Sequence, residues 1–259
     1  MYWLKLWVAV IPGSMKAIKE ILKKIFGGNL PPKIYFPVLL LILILLQAFY
    51  LLLGKTHVYV FNYFVSDVQN KYSLDFIIIV VKNILIINWQ ILLILFGLRI
   101  YNLSTQDIGW RSARNFWKVI IGVTLIVLFR LSKEAFFGNT GMSGCPSVTI
   151  NDFWGKLHNP VAYYYLFIVP FVNPIFEELF YRGFVFTALE KRIGWVSAVL
   201  LSSIAFSAFH TTSIISFNLE LFFKGVMFSL LRKWDGSIWS SVAAHSTNNL
   251  LLSWLTIRI

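Results

Sequence analysis

Two adjacent carboxylates, Glu177 and Glu178, lie in a strongly apolar stretch of this 259-residue sequence, which contains only 11 acidic residues. Charged groups in such surroundings carry a large desolvation cost, so each is a candidate for a functional role or for an ion pair. Residues four apart share a helix face, which places Arg182 beneath Glu178 and leaves Glu177 without a cation on its own helix. The spacing therefore predicts a Glu178–Arg182 pair and a second carboxylate that is available for proton transfer.

Two of the four histidines also lie in apolar stretches. His210 follows Phe206 by four residues, so the phenyl ring can pack against the imidazole and orient it. His245 precedes Asn249 by four residues, which puts an imidazole and an amide donor on one helix face. If these stretches are membrane helices, Glu177 and these histidine and asparagine residues lie roughly 12 to 22 Å along their helices from the ends predicted to face the cytoplasm. We therefore expect three helices to bring them close together.

These side chains supply the groups that peptide hydrolysis needs when it proceeds without a covalent intermediate. Glu177, aided by His210, can deprotonate a water, while His245 and Asn249 can donate hydrogen bonds to the developing oxyanion. A zinc-dependent version is the alternative, because Glu177, His210 and His245 could hold Zn²⁺ with an open fourth position. That version leaves no obvious base, and the HExxH pattern is absent. We therefore expect no cofactor.

The composition indicates that membrane helices position these groups, since 58% of the residues are hydrophobic, 13% are charged and the mean hydropathy is +0.73. An all-α fold follows, a polytopic bundle of seven transmembrane helices, with eight as the alternative because two of the spans are short. The predicted spans are Tyr35–Leu53, Phe76–Leu98, Phe116–Leu131, Pro160–Leu189 with a kink, Trp195–His210, Phe217–Leu231 and Ser237–Ile257.

Basic residues are concentrated in alternate loops, which by the positive-inside rule places the N-terminus in the cytoplasm and the C-terminus outside. Residues 1–33 form a basic arm with an amphipathic helix that lies on the membrane surface. We expect a single transmembrane domain over 1–259, with a catalytic core over 160–257. The net charge of +12 is scattered in short clusters between apolar runs, which favours anionic lipid rather than nucleic acid as the partner.

Three motifs resemble those of the CPBP family, the CAAX proteases and bacteriocin-processing enzymes that are also called the Abi family. The family's EExxxR motif corresponds to Glu177–Arg182, its FxxxH motif to Phe206–His210, and its HxxxN motif to His245–Asn249. The resemblance implies a glutamate-dependent intramembrane endopeptidase in which the first Glu is the base, the first His assists it, and the last His and Asn form the oxyanion site. Glu178, Arg182 and Phe206 support these groups.

Other functions fit parts of the same pattern. A bacteriocin self-immunity protein or a scaffold would retain the fold, and a transporter would also place buried acids and histidines along its path. The stretch Gly141–Gly144 resembles the nucleophile sequence of rhomboid proteases, but a polar loop follows Ser143 where a membrane helix is required. We therefore expect a protease of a bacterial cell membrane, whose substrate is a membrane-associated peptide or protein.

Overall fold

The computed structural model describes residues 37–39, 41–46, 48–49, 52, 71–137, 148–149, 164–210 and 218–258. The predicted basic arm over 1–33 and the loop that contains Ser143 lie outside these residues. The chain divides into two units, Met1–Ile42 and Leu43–Ile259. In the first unit, residues 37–39 and 41–42 are helical.

The described part of the second unit consists of helices joined by loops, together with one short β pairing. Helix α3 is continuous but consists of four segments, of which the first and third are π-helical. The elements are α1 (Lys71–Ile100), α2 (Phe116–Phe137), α3 (Tyr164–Val172, Asn173–Glu178, Leu179–Val185 and Phe186–Ile193), α4 (Trp195–Phe209), α5 (Leu219–Asp235) and α6 (Trp239–Thr256). The two-residue strands β1 (Val148–Thr149) and β2 (Ile257–Arg258) pair in parallel.

The predicted all-α class is confirmed, and the last six predicted spans each coincide with one of these helices. The stretch Val80–Ile100 of α1, with a mean hydropathy of 1.8, is long and apolar enough to cross a membrane. It is the one such stretch among the described residues, and Pro37–Leu46 and Trp195–Ala208 are shorter apolar helices. The number of membrane crossings therefore stays a prediction.

Polar side chains lie inside the second unit together with its apolar core, while further large apolar side chains lie on its outside. Arg182, Lys224 and His245 are buried, and so are serines of α4 and α5. The exposed faces instead present large aliphatic side chains, among them Ile84 of α1 and Leu128 of α2. Contiguous exposed apolar surface of this kind marks contact with a membrane or with a partner. The arrangement is therefore the one that a hydrocarbon environment favours.

Helices α4 and α5 approach closely through small residues. A Cβ atom added to Gly225 of α5 would lie 2.9 Å from Cβ of Ser203 on α4, and the hydroxyl oxygens of Ser202 and Ser229 are 3.2 Å apart. Small residues let helix backbones approach in this way inside membranes. Helix α6 packs against α2, α5 and the first half of α3, so α3 through α6 surround the polar interior.

Candidate active site

Glu177 and Glu178 end the short α-helical segment of α3 that lies between the two π-helical segments. The first π-helical segment contains Pro170, whose missing N–H interrupts regular helix hydrogen bonding. Nδ2 of Asn83 on α1 donates to Oδ1 of Asn173 at 2.9 Å, which ties the start of the α-helical segment to its neighbour. π-Helical turns inside α-helices are frequent at functional sites. The two carboxylates therefore lie at an irregular point of α3, between its two π-helical segments.

Glu178 is the fully buried member of the pair and has two partners. Nη1 of Arg182 lies 3.2 Å from Oε1 of Glu178, so the predicted pair is present. Nδ1 of His245 lies 2.8 Å from the same oxygen. A carboxylate only accepts hydrogen bonds, so Nδ1 of His245 is the donor. This contact leaves Nε2 of His245 directed away from Glu178.

The aromatic rings around Arg182 complete its environment. The guanidinium carbon lies 4.2 Å from the ring centre of Phe206 and 5.3 Å from that of Phe228. Such cation–π contacts stabilise a desolvated arginine. Phe206 also lies 4.5 Å from the His210 ring, as its four-residue spacing predicts, and Phe228 stacks on His245 with ring centres 4.9 Å apart. The same two phenyl rings therefore hold the arginine and both imidazoles.

His210 lies at the C-terminal end of α4, where its ring is fixed by the helix itself. Its Nδ1 atom is 2.8 Å from the carbonyl oxygen of Phe206. A carbonyl oxygen can only accept, so Nδ1 carries the hydrogen and Nε2 faces outward. Nε2 of His210 lies 3.4 Å from Oε2 of Glu177, and Nε2 of His245 lies 3.8 Å from the same oxygen. Three helices thus place one carboxylate oxygen opposite two imidazole nitrogens.

Exposure differs among these three groups. The side chain of Glu177 is 20% exposed and that of His210 is 31% exposed, whereas that of His245 is 6% exposed. Glu178 and Arg182 are both 0% exposed. The cluster therefore consists of an accessible part, which a small molecule can reach, and a sealed part behind it.

Asn249 occupies the turn after His245 on α6. Its Nδ2 atom donates to the carbonyl oxygen of Val169 at 3.2 Å, and its Oδ1 atom accepts from Nδ2 of Asn248 at 3.1 Å. An amide nitrogen carries two hydrogens, so the bond to Val169 fixes the direction of the second one. These two contacts join Asn249 to the first π-helical segment of α3 and to its neighbour on α6.

Two contributors were absent from the sequence prediction. Phe228 stacks on His245, and the carbonyl oxygen of Gly225 accepts from Nη2 of Arg182 at 3.2 Å. The glycine within the predicted span Phe217–Leu231 was a usable signal, since glycine in a membrane helix often marks close backbone approach. The phenylalanine carried no signal, because α5 contains several of them.

The zinc alternative assigned Glu177, His210 and His245 as ligands. Within the described parts of the chain, no group of three or more His, Cys, Asp or Glu side chains is arranged to hold a metal ion.

Residues 159–251 match the family Rce1-like, described as type II CAAX prenyl endopeptidase Rce1-like. The match includes all three motifs and confirms the family that they predict. Proteins of this family are embedded in membranes, and the match supports the general class of CAAX-type protease. Neither a curated protein nor a solved structure matches the chain with significance.

Proposed function

We propose that this protein is an intramembrane endopeptidase that hydrolyses membrane-associated peptides or proteins with a water activated by Glu177. The observation that supports it most is the position of Oε2 of Glu177, which lies 3.4 Å from Nε2 of His210 and 3.8 Å from Nε2 of His245. Both distances exceed a direct hydrogen bond, yet a water within reach of the carboxylate would also be within reach of the imidazoles.

In this mechanism, Glu177 accepts a proton from the water as its oxygen attacks the scissile carbonyl carbon. His210 assists, because its Nδ1 hydrogen is held by Phe206 and its Nε2 lone pair faces the reacting water. The tetrahedral intermediate then collapses, the C–N bond breaks, and the proton passes from Glu177 to the leaving amine. Every proton taken from the water is returned within the cycle, and no serine or cysteine nucleophile takes part.

The oxyanion is assigned to His245 and Asn249. Nδ1 of His245 already donates to Glu178, so donation from Nε2 requires the imidazolium form. Glu178 thus has a positioning role, because its hydrogen bond with Nδ1 fixes the orientation of the imidazole. Asn249, one turn after His245 on α6, is assigned as the second donor.

The membrane arrangement proposed with this function has seven spans, a cytoplasmic N-terminus and an external C-terminus in a bacterial cell membrane that contains anionic lipids. The outward aliphatic faces of α1, α2 and α4 support a hydrocarbon environment. The predicted single domain over 1–259 and its catalytic core over 160–257 are retained as proposals. The substrate class that the family description suggests is a prenylated CAAX end.

The test is cleavage by the purified, detergent-solubilised chain of a farnesylated peptide that ends in Cys-aliphatic-aliphatic-X, followed by mass spectrometry. We expect Glu177→Gln to lower the cleavage rate by about a hundredfold to ten-thousandfold, the range of general-base catalysis. Glu220→Gln is the matched control, because Glu220 is a similarly shielded carboxylate of the core that binds lysines instead of histidines. A folded Glu177→Gln protein with an unchanged rate would overturn the assignment.

Chelator treatment of the same sample separates the two versions of the chemistry. We expect cleavage to continue after treatment with EDTA and removal of the chelated metal, because Glu177 can activate water without a Lewis acid. Loss of cleavage on chelation, with recovery on adding Zn²⁺, would favour the zinc version with Glu177, His210 and His245 as ligands. The unprenylated form of the peptide, assayed in parallel, measures how much the prenyl group contributes to recognition.

A further inference from the structure

A second polar site lies at the other end of the same helices. It is a cavity of about 450 Å³ between the α1–α2 loop, the C-terminal segment of α3 and the C-terminal end of α5. Lys191 follows Glu177 by fourteen positions on α3, so the two sites are about 20 Å apart along that helix. The residues that line the cavity are Ser104, Gln106, Asp107, Arg111, Arg114, Thr187, Glu190, Lys191, Arg232, Lys233, Trp234 and Gly236.

The lysines of this cavity are already paired with acids. Nζ of Lys191 lies 3.0 Å from Oδ1 of Asp107, and Lys233 pairs with Glu190. Hydrogen bonds from Ser104 lower the pKa of Asp107 to about 2, so this carboxylate stays ionised and its charge balances that of Lys191. Two negative and two positive charges around the cavity thus cancel.

The arginines are not balanced in this way. Among the described residues, Arg111, Arg114 and Arg232 form no ion pair with a carboxylate. Nε of Arg111 donates to the carbonyl oxygen of Gly236 at 2.8 Å, which anchors one end of that guanidinium to an uncharged group. Glu190 and the buried Asp235 also attract Arg232 electrostatically, but without a direct ion pair. Three guanidinium groups without an ion pair to a described carboxylate therefore converge on one cavity.

Arg232 shows that the site is built into the fold. Arg232 is 6% exposed, and its Nη2 atom donates to the carbonyl oxygen of Asp107 at 2.8 Å. Its buried Nε atom has no hydrogen-bond acceptor among the described residues. Burial and the neighbouring Arg111 lower the pKa of Arg232 to about 10, so it remains charged at neutral pH. A desolvated cation with a donor to spare is costly unless an anion binds it.

A glycine makes room for this guanidinium. Gly109 has a φ of +78°, a left-handed conformation that L side chains rarely adopt, and a Cβ atom there would lie 2.6 Å from Cζ of Arg232. The backbone of the α1–α2 loop therefore lies directly against the arginine. Both the conformation and the contact favour glycine at this position.

Exposed aromatic residues indicate the position of this end of the protein relative to a membrane surface. Trp110, Trp117 and Trp234 are exposed near the cavity, and Trp234 lines it. Tryptophan is enriched at the boundary between hydrocarbon and water, where lipid phosphates are found. Guanidinium groups match phosphate oxygens in geometry and bind them through charge-assisted hydrogen bonds.

We propose that this cavity binds a phosphate group through Arg111, Arg114 and Arg232. The phosphate belongs to a lipid headgroup or to a small soluble phosphate ester, and the exposed tryptophans favour the headgroup. The proposal is independent of peptide cleavage, because the cavity is separate from Glu177 and its test measures binding.

The experiment is calorimetric titration of the full chain in a neutral detergent with dioctanoyl phosphatidic acid. Dioctanoylglycerol, which lacks the phosphate, is the matched ligand control, and glycerol 3-phosphate represents the soluble source. The variant is Arg114→Gln, because the described hydrogen bond of Arg114 is through its backbone nitrogen, which the substitution keeps. Arg192→Gln is the matched control, since Arg192 is exposed on the same segment of α3 but does not line the cavity.

We expect phosphatidic acid to bind and dioctanoylglycerol not to bind. Arg114→Gln should weaken phosphate binding about tenfold, which corresponds to the loss of one charge-assisted hydrogen bond, while Arg192→Gln leaves it unchanged. Phosphatidic acid binding more tightly than glycerol 3-phosphate identifies a lipid headgroup, and equal binding identifies a soluble ester. Failure of both compounds to bind, or equal weakening by Arg114→Gln and Arg192→Gln, would overturn the proposal.

Discussion

Two clusters of charged residues, one around Glu178 and one around Arg232, lie at different positions along the same helices, and they differ in how their charges are paired. Around Glu178, the carboxylate is bound by Arg182 and His245, and the arginine also binds a backbone carbonyl. Around Arg232, the lysines and arginines that line the cavity outnumber the carboxylates that line it. Glu178 and Arg182 of the first cluster form an ion pair with each other, whereas the three arginines of the second cluster form no ion pair with a described carboxylate.

The difference follows from what each site is proposed to do. Chemistry requires fixed groups, so the sealed pair behind Glu177 holds His245 in one orientation and leaves only small motions. Recognition of an anion requires the opposite, namely cations that are positioned but not neutralised. The exposure of the two sites agrees with this, because Glu178 and Arg182 are 0% exposed while Arg111 and Arg114 are exposed.

The largest expected effect comes from removing one arginine from each cluster. Arg182→Ala should lower the free energy of unfolding by about 3–5 kcal/mol, because Glu178 loses its cation in a buried site. Arg114→Ala should change it by no more than about 0.5 kcal/mol, as for other exposed positions. Chemical unfolding of the detergent-solubilised proteins measures both. Similar losses of stability in the two variants would remove the distinction between a sealed and an open cluster.

The adjacent amides of α6 sharpen the proposed oxyanion site. Asn249→Ala should lower the cleavage rate by about a hundredfold, the cost of removing one oxyanion donor. Asn248→Ala is the matched control, since its amide donates to Asn249 and is one residue out of register with His245. The rate constant at saturating substrate is the measurement. A greater loss in Asn248→Ala than in Asn249→Ala would contradict the assignment.

The close approach of α4 and α5 supports the sealed cluster. Gly225→Ala should lower the free energy of unfolding by about 1–3 kcal/mol, because its new Cβ atom would lie 2.9 Å from Cβ of Ser203. The double variant Gly225→Ala with Ser203→Gly should recover part of this loss, since Cβ and Oγ of Ser203 are removed while its Cα atom remains 3.0 Å from the new Cβ atom. Thermal unfolding of the three proteins checks both statements. A stable Gly225→Ala protein would show that the helices separate at little cost.

The smallest expected effect concerns Asp107 at the open cluster. Hydrogen bonds from Ser104 and a contact with Lys191 lower the pKa of Asp107 to about 2. A lowered carboxyl pKa contributes stability that is fully present above its usual value near 4 and is lost as pH falls toward 2. Ser104→Ala should therefore cost about 0.5 kcal/mol at neutral pH, a value limited by solvent screening.

The pH dependence identifies the cause of that loss. The difference in unfolding free energy between Ser104→Ala and the unchanged chain should shrink as pH falls from 4 to 2. Thr105→Ala is the matched control and should show no such dependence. A difference that stays constant over this interval would separate the effect of Ser104 from the ionisation of Asp107.

Contacts within one helix could be predicted from the sequence, because helix periodicity fixes them. The pair Glu178–Arg182 was expected from four-residue spacing and is present at 3.2 Å. Glu220 and Lys224 have the same spacing and pair at 2.6 Å. The predicted spans also agree with the helices, although α2 continues to Phe137, beyond the predicted end at Leu131. Hydrophobic length and local spacing were sufficient for these features.

Contacts between helices could not be predicted in the same way. Spacing gave Glu177 no cation on its own helix, but the two imidazoles that face it come from α4 and α6. His245 was expected to act with Asn249, and its bond to Glu178 depends on the rotation of α6 against α3. Lys133 of α2 joins Glu220 at 2.6 Å for the same reason. The residue pattern of one helix does not indicate how a neighbouring helix is rotated about its own axis.

The π-helical segment Leu179–Val185 separates Glu177 from Lys191 on one continuous helix. Its wider turns determine the angular phase between the upper and lower halves of α3. Deleting one residue there would keep the stretch helical but convert a π turn to an α turn, which changes the angle between Glu177 and Lys191 around the helix axis. Circular dichroism would then report an intact helix content while peptide cleavage is lost. The relative orientation of the two clusters thus depends on this segment of α3.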